Sequence, residues 1–290
     1  MNTCSSFPRQ TGQIRHSRVS LLENVEIADR TFRLTFRAPE LVPLFSPGQF
    51  VMLRLVGTDD PLLGRPLAIY RMDAAKGTVD VVYLVVGKMT DRLSRLTPGT
   101  SLDVWGPLGR GFQLPDSEQL IMVAGGIGLT PFLSLAEQEF AKQELTKQEK
   151  EPRDITLLYG ASTRNRICCT DDFRKIGVDV RVATDDGSEG YHGFVTDLIP
   201  TVMKKPSKAV IVCCGPHAML QATFETAKRL GNIPCFVSLE SPMACGLGIC
   251  FSCVVETTDD NGTRDYSRTC VDGPVFDAYR LCWDEKTDGF

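Results

Sequence analysis

Four cysteines near the carboxyl-terminal end place the strongest constraint on what this chain can fold into. Cys245, Cys250 and Cys253 share one loop with the spacing C-x4-C-x2-C, and Cys270 follows after sixteen intervening residues. This spacing is typical of plant-type ligation, in which four thiolates hold the two irons of a [2Fe–2S] cluster. Zinc sites favour two short cysteine pairs, so the pattern favours the cluster over a zinc ion or a set of unrelated buried thiols.

The composition excludes several classes of protein. The chain has 290 residues, of which 42% are hydrophobic and 23% charged, as expected for about two globular domains with a small appendage. A net charge of −4 argues against non-specific binding to nucleic acid or anionic membranes. Without a secretory signal or an apolar stretch of roughly 20 residues, we expect a cytoplasmic protein. Disulfides are rare in that compartment, so the eleven cysteines need another role.

The hydrophobic pattern predicts a multidomain β plus α/β chain in three parts. Residues 1–115 show short alternating runs separated by Gly, Pro and Asp, which predicts an antiparallel β-barrel. Residues 116–233 alternate strands with helices, which predicts a parallel sheet of the Rossmann type. Residues 234–290 are turn-rich and form the predicted cluster subdomain. The predicted strands are 31–36, 50–55, 79–86, 120–124, 155–159, 178–183 and 209–213, and the predicted helices are 131–147 and 217–230.

Two strand-to-helix turns of the middle part predict a ligand crevice. The first turn contains Gly125, Gly126, Gly128 and Thr130, and the second contains Cys214, Gly215 and Pro216. Parallel strands that end at one edge of a sheet form the crevice where ligands bind, and a helix N-terminus offers free amides to a pyrophosphate. Such a turn also occurs where a helix merely packs on a sheet, and the third glycine of the strict dinucleotide fingerprint is missing.

Arg65 and Pro66 begin a predicted strand of the β domain. The guanidinium of an arginine suits a bidentate hold on phosphate, and a following proline stiffens its approach. Taken alone, this pattern is better explained by an exposed arginine on a turn. The glycine-rich segment 106–112 closes the same domain and by itself indicates only a turn.

In chain order these pieces resemble the ferredoxin–NAD(P)+ reductase superfamily. The shared motifs are R-P-x-[S/A] at Arg65, G-P-x-G-x-x-F at Gly106, G-G-x-G-x-x-P at Gly125 and C-G-P at Cys214. Segments 238–254 and 270–276 are similar to the signature of one branch, the electron-transfer subunits of class 1B dihydroorotate dehydrogenases. The resemblance covers about residues 18–276, and the cysteine motif is its most specific part.

The resemblance implies roles for individual residues. Arg65 would hold the FAD pyrophosphate, Tyr83 would lie against the isoalloxazine or ribityl, and Cys214 would lie near the nicotinamide ring. The implied FAD contacts are Arg65, Pro66, Leu67, Ala68, Val82, Tyr83, Leu84, Met89 and Thr90, and the implied NAD contacts are Gly125, Gly126, Gly128, Thr130, Cys214, Gly215 and Pro216. Two positions depart from the family: Ala68 lacks the usual serine hydroxyl near the flavin N5, and Leu84 replaces a usual arginine. Either change can shift the flavin potential or weaken FAD binding.

The implied activity is an electron relay in pyrimidine biosynthesis. A partner FMN subunit, the dihydroorotate dehydrogenase catalytic subunit, oxidises dihydroorotate, and electrons pass through the [2Fe–2S] cluster and FAD to NAD+ in a heterotetramer of two plus two. The cysteine loop is then expected near the surface that meets this partner. Two alternatives stay open: a reductase subunit of another iron–sulfur system (hydrogenase, sulfite reductase or ferredoxin/oxygenase reductase), and a zinc-stabilised binding module.

Overall fold

The computed structural model describes residues 14–146, 152–259 and 261–283. Within them the chain forms a closed six-stranded barrel, a seven-stranded sheet flanked by helices, and a two-stranded hairpin. The predicted combination of an antiparallel barrel and an α/β domain is therefore confirmed. None of the described helices has both the length and the apolar character that crossing a membrane requires.

The amino-terminal part is the barrel, whose strands follow the order β1-β2-β5-β4-β3-β6 around the closed sheet. Its elements are β1 (Arg15–Ala28), β2 (Thr31–Arg37), β3 (Phe50–Leu55), β4 (Arg65–Asp73), β5 (Thr78–Leu84), α1 (Lys88–Ser94) and β6 (Ser101–Leu108). Each strand has one face toward the barrel interior and one toward the outside, because successive side chains of a strand point to opposite sides. In β2, Leu34 and Phe36 are fully buried in the barrel interior, whereas Arg37 is exposed.

The middle part is a mostly parallel sheet with the order β10-β9-β8-β7-β11-β12-β15. Its strands are β7 (Gln119–Gly125), β8 (Asp154–Ala161), β9 (Asp179–Thr184), β10 (Tyr191–His192), β11 (Ala209–Cys214) and β12 (Cys235–Ser238), and its helices are α2 (Phe132–Thr146), α3 (Thr170–Lys175), α4 (Ile199–Val202) and α5 (His217–Arg229). Short 3₁₀ turns occur at Val42–Leu44, Gly126–Leu129, Arg164–Arg166, Val195–Leu198, Pro206–Lys208 and Ala278–Arg280. Residue 147, the predicted end of the helix that became α2, lies outside the described residues.

The carboxyl-terminal part is tied into this sheet. It contributes β13 (Val254–Thr258), β14 (Arg264–Arg268) and β15 (Val275–Asp277). The first two pair as a hairpin, but β15 pairs antiparallel with β12 at the sheet edge. The sheet thus continues past the predicted boundary at residue 234, because β12 completes the apolar layer over α5 and its own edge is covered by β15.

Two sets of contacts fix the parts against one another. The Tyr70 hydroxyl on β4 donates to the Asp172 carboxylate on α3 at 2.8 Å, and Arg71 forms an ion pair with Glu137 on α2 at 2.8 Å. On another side of the barrel, an apolar cluster joins barrel residues to the cysteine-bearing segment; its buried members are Phe50, Met52, Leu108, Cys253 and Cys270. The barrel is therefore in contact with both other parts of the chain.

Candidate functional site

The structure brings the four predicted cluster cysteines together in two layers. Cys253 and Cys270 are each 2% exposed, and their sulfur atoms lie 3.2 Å apart. Cys245 is half-buried and Cys250 is exposed on the outer loop, where the Cys250 sulfur lies 3.2 Å from the Ser252 hydroxyl. All four thiols are free, so they are available as ligands.

This arrangement fits a cluster with two irons. In the described part of the chain, no three metal-ligating side chains converge on a single point, as a mononuclear zinc site would require. Instead the inner pair is in sulfur contact, and in the outer pair Cys245 lies close enough to Cys250 to help lower the pKa of its thiol. Two pairs are what two irons with two thiolates each need. The Thr269 hydroxyl, beside Cys270, is buried without a hydrogen-bond partner among the described residues, and a cluster sulfur is an acceptor that would satisfy it.

Two glycines allow the outer loop to lie close to its neighbours. Gly246 and Gly248 both adopt left-handed backbone conformations, with φ of 69° and 78°. A Cβ at Gly246 would lie 2.6 Å from the Met52 side chain on β3, and one at Gly248 would lie 2.5 Å from Val271. Any larger residue would push the loop away from the barrel and from the Cys270 turn.

The two layers differ in how readily their thiols ionise. Hydrogen bonds from Ser252 lower the pKa of Cys250 to about 6, whereas burial and the adjacent Cys253 raise the pKa of Cys270 to about 12. Since the thiolate is the form that binds metal, the Cys250 thiol is already in its metal-binding form at neutral pH. Cys270 would have to release its proton to become a ligand, so cluster insertion would be coupled to proton release.

The predicted flavin motif lies on β4 of the barrel. Arg65 begins the strand, and its guanidinium donates to the carbonyl oxygens of Leu63 and Gly64 at 3.2 and 3.1 Å. Within the described residues it has no carboxylate partner, so its charge is uncompensated and suits a pyrophosphate. Pro66 and Ala68 are half-buried on the outer face, while Leu67 belongs to the barrel core.

The next predicted flavin strand, β5, is more deeply buried than the sequence suggested. The Tyr83 ring is 2% exposed inside the barrel, it stacks on Phe32, and its hydroxyl donates to Asn24 at 3.0 Å. The ring is thus packed inside the barrel, so a flavin contact at this position would come from the backbone, and the flavin role of Tyr83 stays a prediction. Val82 packs toward the α/β domain, and Leu84 is half-buried at the strand end.

The turn before α1 presents backbone amides rather than side chains. The Met89 side chain is 1% exposed in the barrel core. The Thr90 hydroxyl accepts hydrogen bonds from the amides of Val86 and Gly87 at 3.0 and 3.2 Å, so it holds the turn in shape. Both side chains and the amides of Val86 and Gly87 are thus used within the fold, so a phosphate contact here would come from the first backbone amides of α1, which have no partner within the helix.

The two glycine-containing turns from which a crevice was predicted lie in close contact at one edge of the α/β sheet. β7 and β11 are parallel neighbours with Ala124 opposite Cys214, so their carboxyl ends reach the same edge of the sheet. A Cβ at Gly128 would lie 2.1 Å from the Cys214 carbonyl oxygen, and one at Gly125 would lie 2.8 Å from Pro216. The glycines are therefore required for the approach of the two turns.

Beside Gly128, Gly126 has a φ of 54° and faces open space, since a Cβ there would meet nothing within 4 Å. Thr130 is buried behind it, and Gly215 also has a left-handed φ of 153°. The exposed backbone at Gly126 is the part of the turn that a pyrophosphate can reach.

Glu240 joins this crevice and was not identified from the sequence. It follows β12, and its carboxyl acts on Cys214, whose pKa is raised by burial and further by this neighbouring charge. Glu240 keeps solvent access on one side, yet the surrounding protein desolvates its carboxyl and raises its pKa. Recognising 235–238 as a strand would have placed Glu240 at this edge.

Comparisons with known proteins cover the three parts separately. Residues 18–112 match the family model "Oxidoreductase FAD-binding domain", and residues 122–225 match "Oxidoreductase NAD-binding domain". Residues 240–282 match "Iron-sulfur cluster binding domain of dihydroorotate dehydrogenase B". The predicted cofactors, FAD, NAD and an iron–sulfur cluster, are therefore confirmed, and the zinc alternative is excluded.

Whole-chain relatives decide the family. The dihydroorotate dehydrogenase B (NAD(+)) electron transfer subunit of Desulforamulus reducens is 37% identical over 259 residues, which cover 89% of this chain and 95% of that protein. The chain belongs to the family of dihydroorotate dehydrogenase B electron transfer subunits. The Bacillus caldolyticus member is also 37% identical, over 91% of this chain and 98% of its own length.

Solved structures confirm the ferredoxin-reductase-like fold. The NADH-dependent reduced ferredoxin–NADP oxidoreductase structure aligns with a TM-score of 0.76 and 29% identity, over 93% of this chain and 91% of that one. A ferredoxin NADP+ reductase from Neisseria gonorrhoeae with bound FAD and NADP aligns with a TM-score of 0.62 at 19% identity, over 74% of this chain and 92% of that one, which shows the fold alone.

Proposed function

We propose that this chain is the subunit that carries electrons from a dihydroorotate-oxidising FMN partner to NAD+, using a [2Fe–2S] cluster and FAD. A flavin converts between one-electron and two-electron carriers, so the protein itself must position the cofactors and set their potentials. The four cysteines would hold the cluster, Arg65 and the turn at Met89 and Thr90 would hold FAD, and the two turns at Gly126 and Gly215 would hold NAD.

One observation carries this proposal: the cysteine segment packs on the outer face of the barrel only one strand away from the flavin motif. Met52 and Phe50 of β3 belong to the same buried cluster as Cys253 and Cys270. Their register partners on β4 are Pro66 and Ala68 of the flavin motif. A cluster and a flavin held by these residues would be neighbours, as electron transfer between them requires.

The outer cysteine loop offers a surface for the partner subunit. Ile249 is 74% exposed, Phe251 is 62% exposed and Leu247 is 42% exposed. Three large apolar side chains around exposed Cys250 form a patch of the kind that marks protein interfaces. A partner that docks here would bring its own cofactor to the outer side of the cluster, opposite the barrel.

Assembly and location complete the proposal. We infer a complex of two catalytic and two electron-transfer subunits, because closed twofold symmetry is the commonest arrangement of soluble assemblies. The ten cysteines in the described segments are all free thiols, which supports a reducing compartment such as the cytoplasm.

Co-expression with an FMN-containing dihydroorotate dehydrogenase tests this function. We expect a stable complex that produces orotate at the expense of NAD+, and no such activity from either subunit alone. Ile249→Glu should weaken the complex, whereas Phe194→Glu should not, because Phe194 is similarly exposed (70%) but lies after β10 at the other edge of the sheet. A complex that forms equally well with both variants would place the partner elsewhere, and no NAD+-linked orotate formation would refute the function.

A further inference from the structure

Trp105 on β6 touches both the cluster loop and the start of the flavin strand. Its indole N–H donates a hydrogen bond to the carbonyl oxygen of Cys245 at 3.0 Å. At the other end of the same ring, a Cβ at Gly64 would lie 2.8 Å from Cη2, so Gly64 packs directly against the indole. Gly64 immediately precedes Arg65. One half-buried side chain therefore spans the distance from the first cluster ligand to the flavin motif.

Strand β3 lies between β6, which carries Trp105, and the flavin strand β4. Trp105 lies opposite Met52 of β3, and Met52 in turn lies opposite Pro66 of β4. Residues opposite one another in paired strands share a face, so these three form a row across the outer surface of the barrel. Met52 also limits the approach of the loop at Gly246, where an added Cβ would lie 2.6 Å from its side chain. The outer loop thus rests on Trp105 and Met52.

We propose that Trp105 is a positioning residue: it fixes the Cys245 end of the cluster loop on the barrel and so holds the cluster at a set place relative to the flavin strand. The bond is to a backbone carbonyl, so its loss leaves all four ligands in place. The loop that carries Cys245 and Cys250 would lose the hydrogen bond that the Trp105 side chain donates to it and would keep only its apolar packing on the barrel. The inner pair would remain buried. This proposal rests on the assignment of the cluster in the proposed function.

Trp105→Phe tests the proposal because it keeps an aromatic ring and removes the N–H donor. The chain provides a matched control, since it contains only two tryptophans and Trp283 also donates its N–H to a backbone carbonyl, that of Ala278 at 2.8 Å. Trp283 packs in the apolar layer around α5, which is separate from the apolar cluster that contains Cys253 and Cys270. Trp283→Phe therefore removes an equivalent bond outside the apolar cluster of the cysteine segment.

In Trp105→Phe we expect the cluster to be lost to an iron chelator about tenfold faster than in the unchanged protein, which is the effect of losing one half-buried hydrogen bond. The EPR spectrum of the reduced cluster should broaden, and NADH should reduce the cluster more slowly while it reduces FAD at the same rate. Trp283→Phe should change none of these. Release and EPR spectra that are the same in both variants would overturn the proposal.

A second measurement leaves Trp105 in place. In Trp283→Phe, Trp105 is the sole tryptophan, and its emission should rise and shift to longer wavelength when the cluster is removed with FAD retained. Emission that is insensitive to cluster removal would contradict the proposed contact. A purified protein with no cluster absorbance would refute the cluster assignment itself, whereas a protein with a normal cluster and an unaffected Trp105→Phe variant would refute only the role of Trp105.

Discussion

Substitution of Gly128 by alanine should damage the nicotinamide crevice while it leaves the flavin and the cluster in place. The added Cβ would lie 2.1 Å from the Cys214 carbonyl oxygen and 2.4 Å from its carbon. Ordinary contact between such atoms needs about 3.5 Å, so the two turns must separate by roughly 1.4 Å. Overpacking usually costs about 1–3 kcal/mol, and the upper end applies here because both partners are backbone rather than flexible side chains.

A cost of about 3 kcal/mol corresponds to roughly a hundredfold weaker binding of a ligand that needs both turns in place. The assay is NADH oxidation with an artificial electron acceptor, which gives the KM for NADH, together with the FAD content of the purified variant. Gly231→Ala is the matched control: it follows α5 in the same domain and has a φ of 114°, but its Cβ would meet nothing within 4 Å and it lies outside the two turns. It should cost about 1 kcal/mol of folding stability from backbone strain and leave the KM for NADH unchanged. A Gly128→Ala protein with normal FAD content and an unchanged KM for NADH would refute this reasoning.

Substitutions at three further positions give separate expectations. Arg65→Ala should weaken FAD binding about tenfold or more. Arg65→Lys should recover only part of this loss, because lysine cannot donate two parallel hydrogen bonds to a phosphate as a guanidinium can. Equal FAD affinity of the lysine variant and the unchanged protein would argue against such a bidentate contact. Tyr70→Phe removes the hydrogen bond to Asp172 and should lower the free energy of unfolding by about 1–2 kcal/mol, seen as a fall of a few degrees in Tm. Although burial alone would raise the pKa of Asp103, its two arginine partners hold it below the usual value of 3.8, so this carboxylate stabilises the fold above about pH 4 and less as the pH falls further. The Tm difference between the unchanged protein and Asp103→Asn should therefore narrow below pH 4; a constant difference would show that ionisation is not the cause.

The sequence predicted most of the apolar strands because their periodicity is a local property. The run 50–55 is β3 as observed, and the helix predicted at 217–230 ends one residue earlier, at Arg229. β1 (Arg15–Ala28) was missed because it has only two buried residues and many exposed polar ones, as an outward-facing strand does. β12 and β15 were missed because each is short and becomes a strand only through its pairing at the sheet edge.

In the candidate site, too, local patterns could be predicted from the sequence and long-range contacts could not. The cysteine spacing and the glycine turns are local patterns, so both could be found in the sequence, and the structure brings their members together. The burial of Tyr83 depends on the closure of the barrel, which no spacing within β5 reveals. The contact between Trp105 and Cys245 joins residues 140 positions apart, and nothing near either residue indicates it.

The most direct test of the electron-transfer assignment is anaerobic titration of the purified chain with NADH, followed by visible absorbance and EPR. The account predicts about one FAD and about two iron atoms per chain, bleaching of the flavin band, and the EPR signal of a reduced [2Fe–2S] cluster that disappears in Cys253→Ser or Cys270→Ser. A colourless protein that contains zinc, or a flavoprotein whose iron is never reduced by NADH, would contradict it.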